Sequence, residues 1–279
     1  MSARVNGIMN AHNLLPNTTC PPLWLIDGYK NGTYGRAQLK GFLQRRIEAV
    51  VPHWIKAGVP ILGLFAVNEA IFNQQNDALG EWPHNWLVGP EQNMFSWSFN
   101  NGTDWFGQTF KWVAAAADKA VAGTSLPRPR IFYNDYGIET ICPKSDATLR
   151  WLTEQKAAGV PIDGIGFQAH MDCKTVLASN GTAAVLANFR RFVAAGFHVW
   201  VTEMDVQMLP GCTEEDQAAV YGAVLGACLA LKEHCDAFMV WGFSDRYTWL
   251  PTKAPNLYTA DYRAKPAYYA LREVLQQAP

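Results

Sequence analysis

Short apolar runs that lead into polar residues, separated by helical stretches, constrain the fold of this chain more than any other feature. The runs are 61–67 (ILGLFAV), 129–135 (PRIFYND), 163–168 (DGIGFQ), 197–204 (FHVWVTEM) and 237–243 (AFMVWGF), with a weaker one at 5–11 (VNGIMNA). Apolar spacing and Ala, Leu and Glu content predict helices over roughly 36–57, 104–122, 145–159, 182–195, 214–233 and 265–276. Asp146 and Thr213 stand before two of these as starts, and Gly196 follows one as a stop. Strands joined through helices argue for parallel βαβ units.

Polar residues gather at the C-terminal ends of the strands: Asn68-Glu69, Asn134-Asp135, Gln168 to His170, Glu203 to Asp205, and Trp241. A doubly wound sheet explains the alternation equally well. It does not explain polar residues converging from five strand ends, whereas a (β/α)8 TIM barrel builds its sites on that face. No low-complexity tract, charge block or Pro-rich linker interrupts the 279 residues, so they read as one α/β domain spanning 1–279.

The balance of 23 Lys plus Arg against 24 Asp plus Glu leaves no basic patch for nucleic acid or an acidic membrane. No apolar run is long enough to span a bilayer, and the first residues carry no signal-peptide h-region. There is no HxxxH, HxH or CxxC pattern and no phosphate-binding glycine loop, so neither a metal nor a cofactor is expected. Core packing accounts for about half of the 11 Trp; the remainder suit a surface that stacks on sugar rings. Six cysteines and four N-x-T sequons, at Asn17, Asn31, Asn101 and Asn180, point to the secretory route.

Glu69 in FAVNEAI and Glu203 in WVTEMDV end two of the runs. Glycoside hydrolysis needs two such carboxyl groups flanking the scissile bond, one protonated and one ionised, and so two unlike environments. Taken singly, a strand-ending Glu is equally well explained as a charge at a helix N-terminus. The surrounding motifs decide. VNEA at 67–70, NDY at 134–136 with IE at 138–139, GIGFQAH at 164–170, TEMD at 202–205 and VWGFSDRYTWL at 240–250 occur in the order found in family-10 glycoside hydrolases. The chain resembles the catalytic domain of these endo-β-1,4-xylanases over about two thirds of its length, and most closely the fungal members.

The resemblance implies a retaining xylanase acting on xylan or xylo-oligosaccharides, monomeric and secreted. Glu69 would be the general acid and then base, and Glu203 the nucleophile. Asn68 would bind the sugar 2-hydroxyl, His170 and Asp205 would pair beside Glu203, and Gln168 would touch the nucleophile or the same sugar. Trp241 and Trp249 would wall the glycone side and Tyr136 would border the other. Cys228 and Cys235 would form the disulfide of fungal relatives. Cys142 and Cys173 follow successive strands, on adjacent loops of a barrel, where a second bridge fits; the partners of Cys20 and Cys212 stay open.

The N-terminus departs from the family pattern. AHNLL at 11–15 resembles the third barrel strand, with His12 at its first histidine, but Pro16 and Asn17 replace the Trp and His expected there. Six of the eight βα units are recognisable, and nothing here matches the first two. The resulting open edges and lost core predict a chain that folds poorly and turns over slowly by itself. Two other readings fit the same residues: an inactive carbohydrate-binding relative, and a barrel hydrolase of another β-glycoside.

Overall fold

The computed structural model describes residues 9–11, 22–57, 61–71, 104–174 and 180–277. They form two compact units, Met1–Tyr133 with Trp151–Gly164, and Asn134–Arg150 with Ile165–Pro279. His12, Cys20 and the sequons at Asn17 and Asn101 lie outside the described residues.

In the first unit, β1 (Met9–Ala11) pairs in parallel with β2 (Ile61–Asn68), matching Met9 to Ile61 and Ala11 to Leu64. Next to β2 comes β3 (Arg130–Asp135), whose residues up to Tyr133 belong to this unit. β2 is buried along almost its whole length, on both faces, as parallel strands under helices must be. Helix α2 (Arg36–Ile55) buries Leu39, Leu43, Ile47, Val51 and Ile55, a stripe at four-residue spacing that keeps one face inward. Each such side chain contributes about 2 kcal/mol on burial. Helix α3 (Asp104–Val121) brings Phe106 against Trp151, ring centres 4.0 Å apart, and both rings meet Tyr133 edge-on. A helix absent from the sequence reading, α1 (Leu23–Lys30), precedes α2; its eight residues include Gly28, too short a stretch to show a period.

The second unit is built on β6 (His198–Gln207), ten residues with only the two ends partly exposed. β4 (Gly164–Phe167) and β5 (His170–Asp172) lie along it, and β7 (Phe238–Val240) pairs with it in parallel. β4 and β5 are one apolar run interrupted at Gln168-Ala169, where Ala169 adopts the left-handed φ of 60°. Around this sheet pack α4 (Pro143–Ala157, up to Arg150 in this unit), α5 (Thr182–Ala194), α6 (Glu214–Leu229) and α7 (Pro266–Gln277).

Local signals explain the helix ends. Thr213 caps α6: its hydroxyl accepts the Asp216 N–H at 3.1 Å, and Asp216 accepts the Thr213 N–H at 2.8 Å. Gly196, at φ 82°, closes α5 with Phe197 N–H donating to the Phe192 carbonyl and Gly196 N–H to that of Val193. α4 starts at Pro143, ahead of Asp146, because proline suits a first helical position where no N–H partner exists. Asp146 instead lies in the first turn and binds Arg191 of α5.

Cys228 and Cys235 are bridged, with Cα atoms 5.3 Å apart. The expected Cys142–Cys173 bridge is absent, and Cys173 pairs with Cys212 instead. Strand pairing is the reason. β5 and β6 align Asp172 with Gln207, so the segments leaving them carry Cys173 and Cys212 to one place. Cys142 turns into its own loop, facing the Gly137 carbonyl and the Ser145 N–H, both at 3.4 Å, and burial pushes its thiol pKa up.

Peptide mapping without reductant should recover the 173–212 and 228–235 pairs and an alkylatable Cys142. A 142–173 cross-link would contradict this pairing. Replacing Cys228 and Cys235 by Ser should lower stability by about 2 kcal/mol, since the loop they close is short.

Candidate active site

β6 ends in the residues with the densest polar surroundings. Glu203 is 5% exposed, and both of its carboxyl oxygens face polar partners. Asn134, last but one in β3, donates its Nδ2 to Oε1 at 2.8 Å. The Thr202 hydroxyl donates to Asn134 Oδ1 at 2.8 Å, which fixes the amide so that its NH2 must point at Glu203. His170 Nε2 stands 3.3 Å from Oε2. The Glu203 N–H donates to the Gln168 carbonyl, so Gln168 meets the nucleophile candidate through its backbone.

His170 also places Nδ1 2.9 Å from Asp205 Oδ1, at an angle too bent for a straight hydrogen bond, so charge more than directionality holds this contact. Burial pulls the His170 pKa down, but the carboxylates of Asp205 and Glu203 outweigh it and raise it from 6.5 to about 9. Near neutrality the ring is therefore an imidazolium with a carboxylate on either side. Trp249 donates its indole N–H to the other oxygen of Asp205 at 2.6 Å and packs on His170, ring centres 5.1 Å apart. Trp241 stands edge-on to the same ring at 6.3 Å. Both tryptophans keep exposed faces, 42% for Trp241 and 56% for Trp249.

The loop carrying Trp249 is anchored by buried charge. Lys265 binds Asp245 at 3.2 Å and the Ala254 carbonyl at 2.7 Å, while Asn256 bonds Ser244 and Asp245. From α6, Gln217 binds the carbonyls of Val206 and Ala254, and Tyr221 that of Pro255. Tyr136 is set from α4, where Lys144 binds Asp135 at 2.8 Å and the Tyr136 carbonyl at 2.6 Å and lies 4.2 Å over the Tyr136 ring. Glu139, buried, accepts the Ala169 N–H at 2.9 Å, and burial pushes its pKa up. Sequence reasoning placed Asn134 at a strand end and quoted Glu139 within a motif without giving either a role, and it passed over Lys144. Asn134-Asp135 closes a strand just as Asn68-Glu69 does, and that likeness was the available signal.

In the first unit, Asn68 is the last residue of β2 and donates to Glu69 Oε1 at 2.8 Å. Glu69 itself takes a left-handed backbone, φ 53°, which costs a residue with a Cβ on the order of 1 kcal/mol. Such strain persists only where the surroundings impose it. Among the described residues no cluster of His, Cys, Asp and Glu could hold a metal ion.

The model of glycosyl hydrolase family 10 matches residues 1–274. The chain belongs to this family. Its fold is accordingly that of a (β/α)8 barrel family, and six of the described strands (β1, β2, β3, β4, β6 and β7) follow the strand–helix alternation. Endo-1,4-beta-xylanase 5 of Pyricularia oryzae is 36% identical over 186 residues, covering 63% of this chain and 43% of the relative. Endo-1,4-beta-xylanase 1 of Humicola insolens is 29% identical over 284 residues, covering 98% and 58%. This family-10 chain thus spans about half the length of those curated relatives. Xylanase 10B from Thermotoga petrophila, solved in complex with xylobiose, matches with a TM-score of 0.75 at 28% identity, over 97% of this chain and 74% of that one.

NMR titration of His170 should give a pKa near 9, and Asp205→Asn should lower it. A folded-state pKa above the unfolded value means the stabilisation is fully present below about 6.5 and is lost as pH rises through 9. The loss should amount to at most about 3 kcal/mol, seen as a falling melting temperature between pH 7 and 9.5. A His170 that titrates at its ordinary value would contradict the ion-pair geometry.

Proposed function

We propose that this chain is a retaining endo-1,4-β-xylanase domain, with both units acting as one catalytic domain. The setting of Glu203 carries the reading: a buried carboxylate within β6, held by the Asn134 amide and the His170 imidazolium, in a family-10 chain. Xylobiose in the Thermotoga petrophila relative supports xylo-oligosaccharides as ligands.

In the first step the Glu203 carboxylate attacks the anomeric carbon, and the glycosidic C–O bond breaks as Glu69 gives its proton to the departing oxygen. In the second, Glu69 takes a proton from water, the water oxygen attacks the same carbon, and Glu203 is released. Asn68 serves the sugar 2-hydroxyl, a bond that strengthens as charge develops. The exposed faces of Trp241 and Trp249 stack on glycone sugars, and Tyr136, held by Lys144, flanks the leaving side. Two disulfides and exposed sequons at Asn31 and Asn180 support a secreted, N-glycosylated protein. Among the described residues no helix is long and apolar enough to cross a membrane.

Reducing-sugar release from xylan, set against other β-glucans, distinguishes a xylanase from a hydrolase of another glycoside or an inactive sugar binder. Proton NMR should show the β-anomer as the first product; an initial α-product sinks double displacement. Glu203→Ala should lose activity on xylan and on aryl glycosides alike, on the order of 10³-fold or more. Glu69→Ala should lose about 10²- to 10⁴-fold on xylan, roughly the scale of general acid catalysis, but keep more activity on an aryl glycoside with a good leaving group. Azide should speed its second step.

A further inference from the structure

One side chain meets two backbone groups immediately after Glu69, where Ile71 also stands in a β-bridge. Ala70 N–H donates to the Tyr133 hydroxyl oxygen at 2.9 Å and Ile71 N–H to the same oxygen at 3.3 Å. Ala70 and Ile71 are 4% and 2% exposed, so water is a poor substitute for that acceptor. Tyr133 is itself fully buried, with Phe106 and Trp151 edge-on to its ring at 5.7 and 5.9 Å, so the position of its hydroxyl follows from packing. The bend it secures begins at the left-handed Glu69.

We propose that Tyr133 is a positioning residue for Glu69: by accepting the N–H groups of Ala70 and Ile71, its hydroxyl fixes the left-handed turn that aims the Glu69 carboxyl. This rests on the reading of Glu69 as acid and base. Without the acceptor, two N–H groups must find new partners, and the cheapest movement is a change in the turn that carries Glu69. Proton delivery to the departing oxygen then fails first, because misplacing a reacting group by about 1 Å can cost on the order of 100-fold. Ring packing and sugar contacts are left in place.

Tyr133→Phe removes the hydroxyl and keeps the ring. We expect kcat on xylan and on aryl xylosides with poor leaving groups to fall on the order of 10- to 100-fold, with KM nearly unchanged. On a dinitrophenyl glycoside, whose first step needs little acid help, kcat/KM should fall by no more than about threefold. Equal losses on all leaving groups, or none on any, overturn the proposal. A merely structural role would lower the melting temperature without steepening the leaving-group dependence. Phe106→Leu, which loosens the packing and keeps the acceptor, should show that pattern. Glu69→Ala measured beside them separates the two ideas: if it shows no leaving-group dependence, the acid reading fails and the proposal falls with it. If Glu69→Ala is steep and Tyr133→Phe is flat, the proposal alone fails. Should Tyr133→Phe not fold, amide exchange in the unaltered protein decides. Slow exchange at Ala70 and Ile71 is expected, and exchange at the rate of exposed amides overturns it.

Discussion

Where the ladder of a parallel strand buried on both faces stops, its backbone groups lose their regular partners. Asn68-Glu69 at the end of β2 and Gln168-Ala169 between β4 and β5 are two such places, and both turn left-handed, at Glu69 and Ala169. The freed N–H groups are not left to water. Tyr133 takes those of Ala70 and Ile71, and Glu139 takes that of Ala169. Buried amide groups must be satisfied, so each break requires a polar side chain beneath it. In this chain a short segment, 133–139, supplies both acceptors.

The same accounting governs charge. A buried ion is tolerable when it is paired and its remaining hydrogen-bonding capacity is used. Lys144 satisfies Asp135 and the Tyr136 carbonyl, and Lys265 satisfies Asp245 and the Ala254 carbonyl. His170 lies between Glu203 and Asp205, and its raised pKa is the electrostatic consequence of two carboxylates facing one ring. Removing one partner of any of these pairs leaves the other stranded, which is why they serve geometry better than they serve net stability.

What was legible in the sequence follows from what a local pattern can carry. Strand 61–68 and helices 36–55 and 104–121 were visible because burial imposes a period over many residues. Thr213 was readable as a cap because Asp216 stands three residues on. α1 and β5 were not, since eight and three residues are too few to show a period against their flanks. The pairing of Cys173 with Cys212 depends on the register of β5 on β6, which is a tertiary fact. The glutamates were singled out through motif resemblance; Asn134 was quoted within the same motifs and Tyr133 within the strand run 129–135, yet their contacts to Glu203 and to Ala70 depend on strand neighbours distant in sequence.

Asp205 ties the proposed sugar-stacking wall to the charge around the proposed nucleophile. One of its oxygens faces His170 and the other accepts the Trp249 indole N–H. A tryptophan with an exposed face could swing, but this bond and the edge contact with His170 hold the ring to the histidine that faces Glu203. The loop bearing Trp249 is fixed in turn through Asp245 and Lys265. The side chain proposed to stack on sugar therefore also completes the surroundings of the carboxylate beside His170. Losing the indole would expose one oxygen of Asp205 and weaken its hold on His170, so the Trp249 wall and the environment of Glu203 vary together.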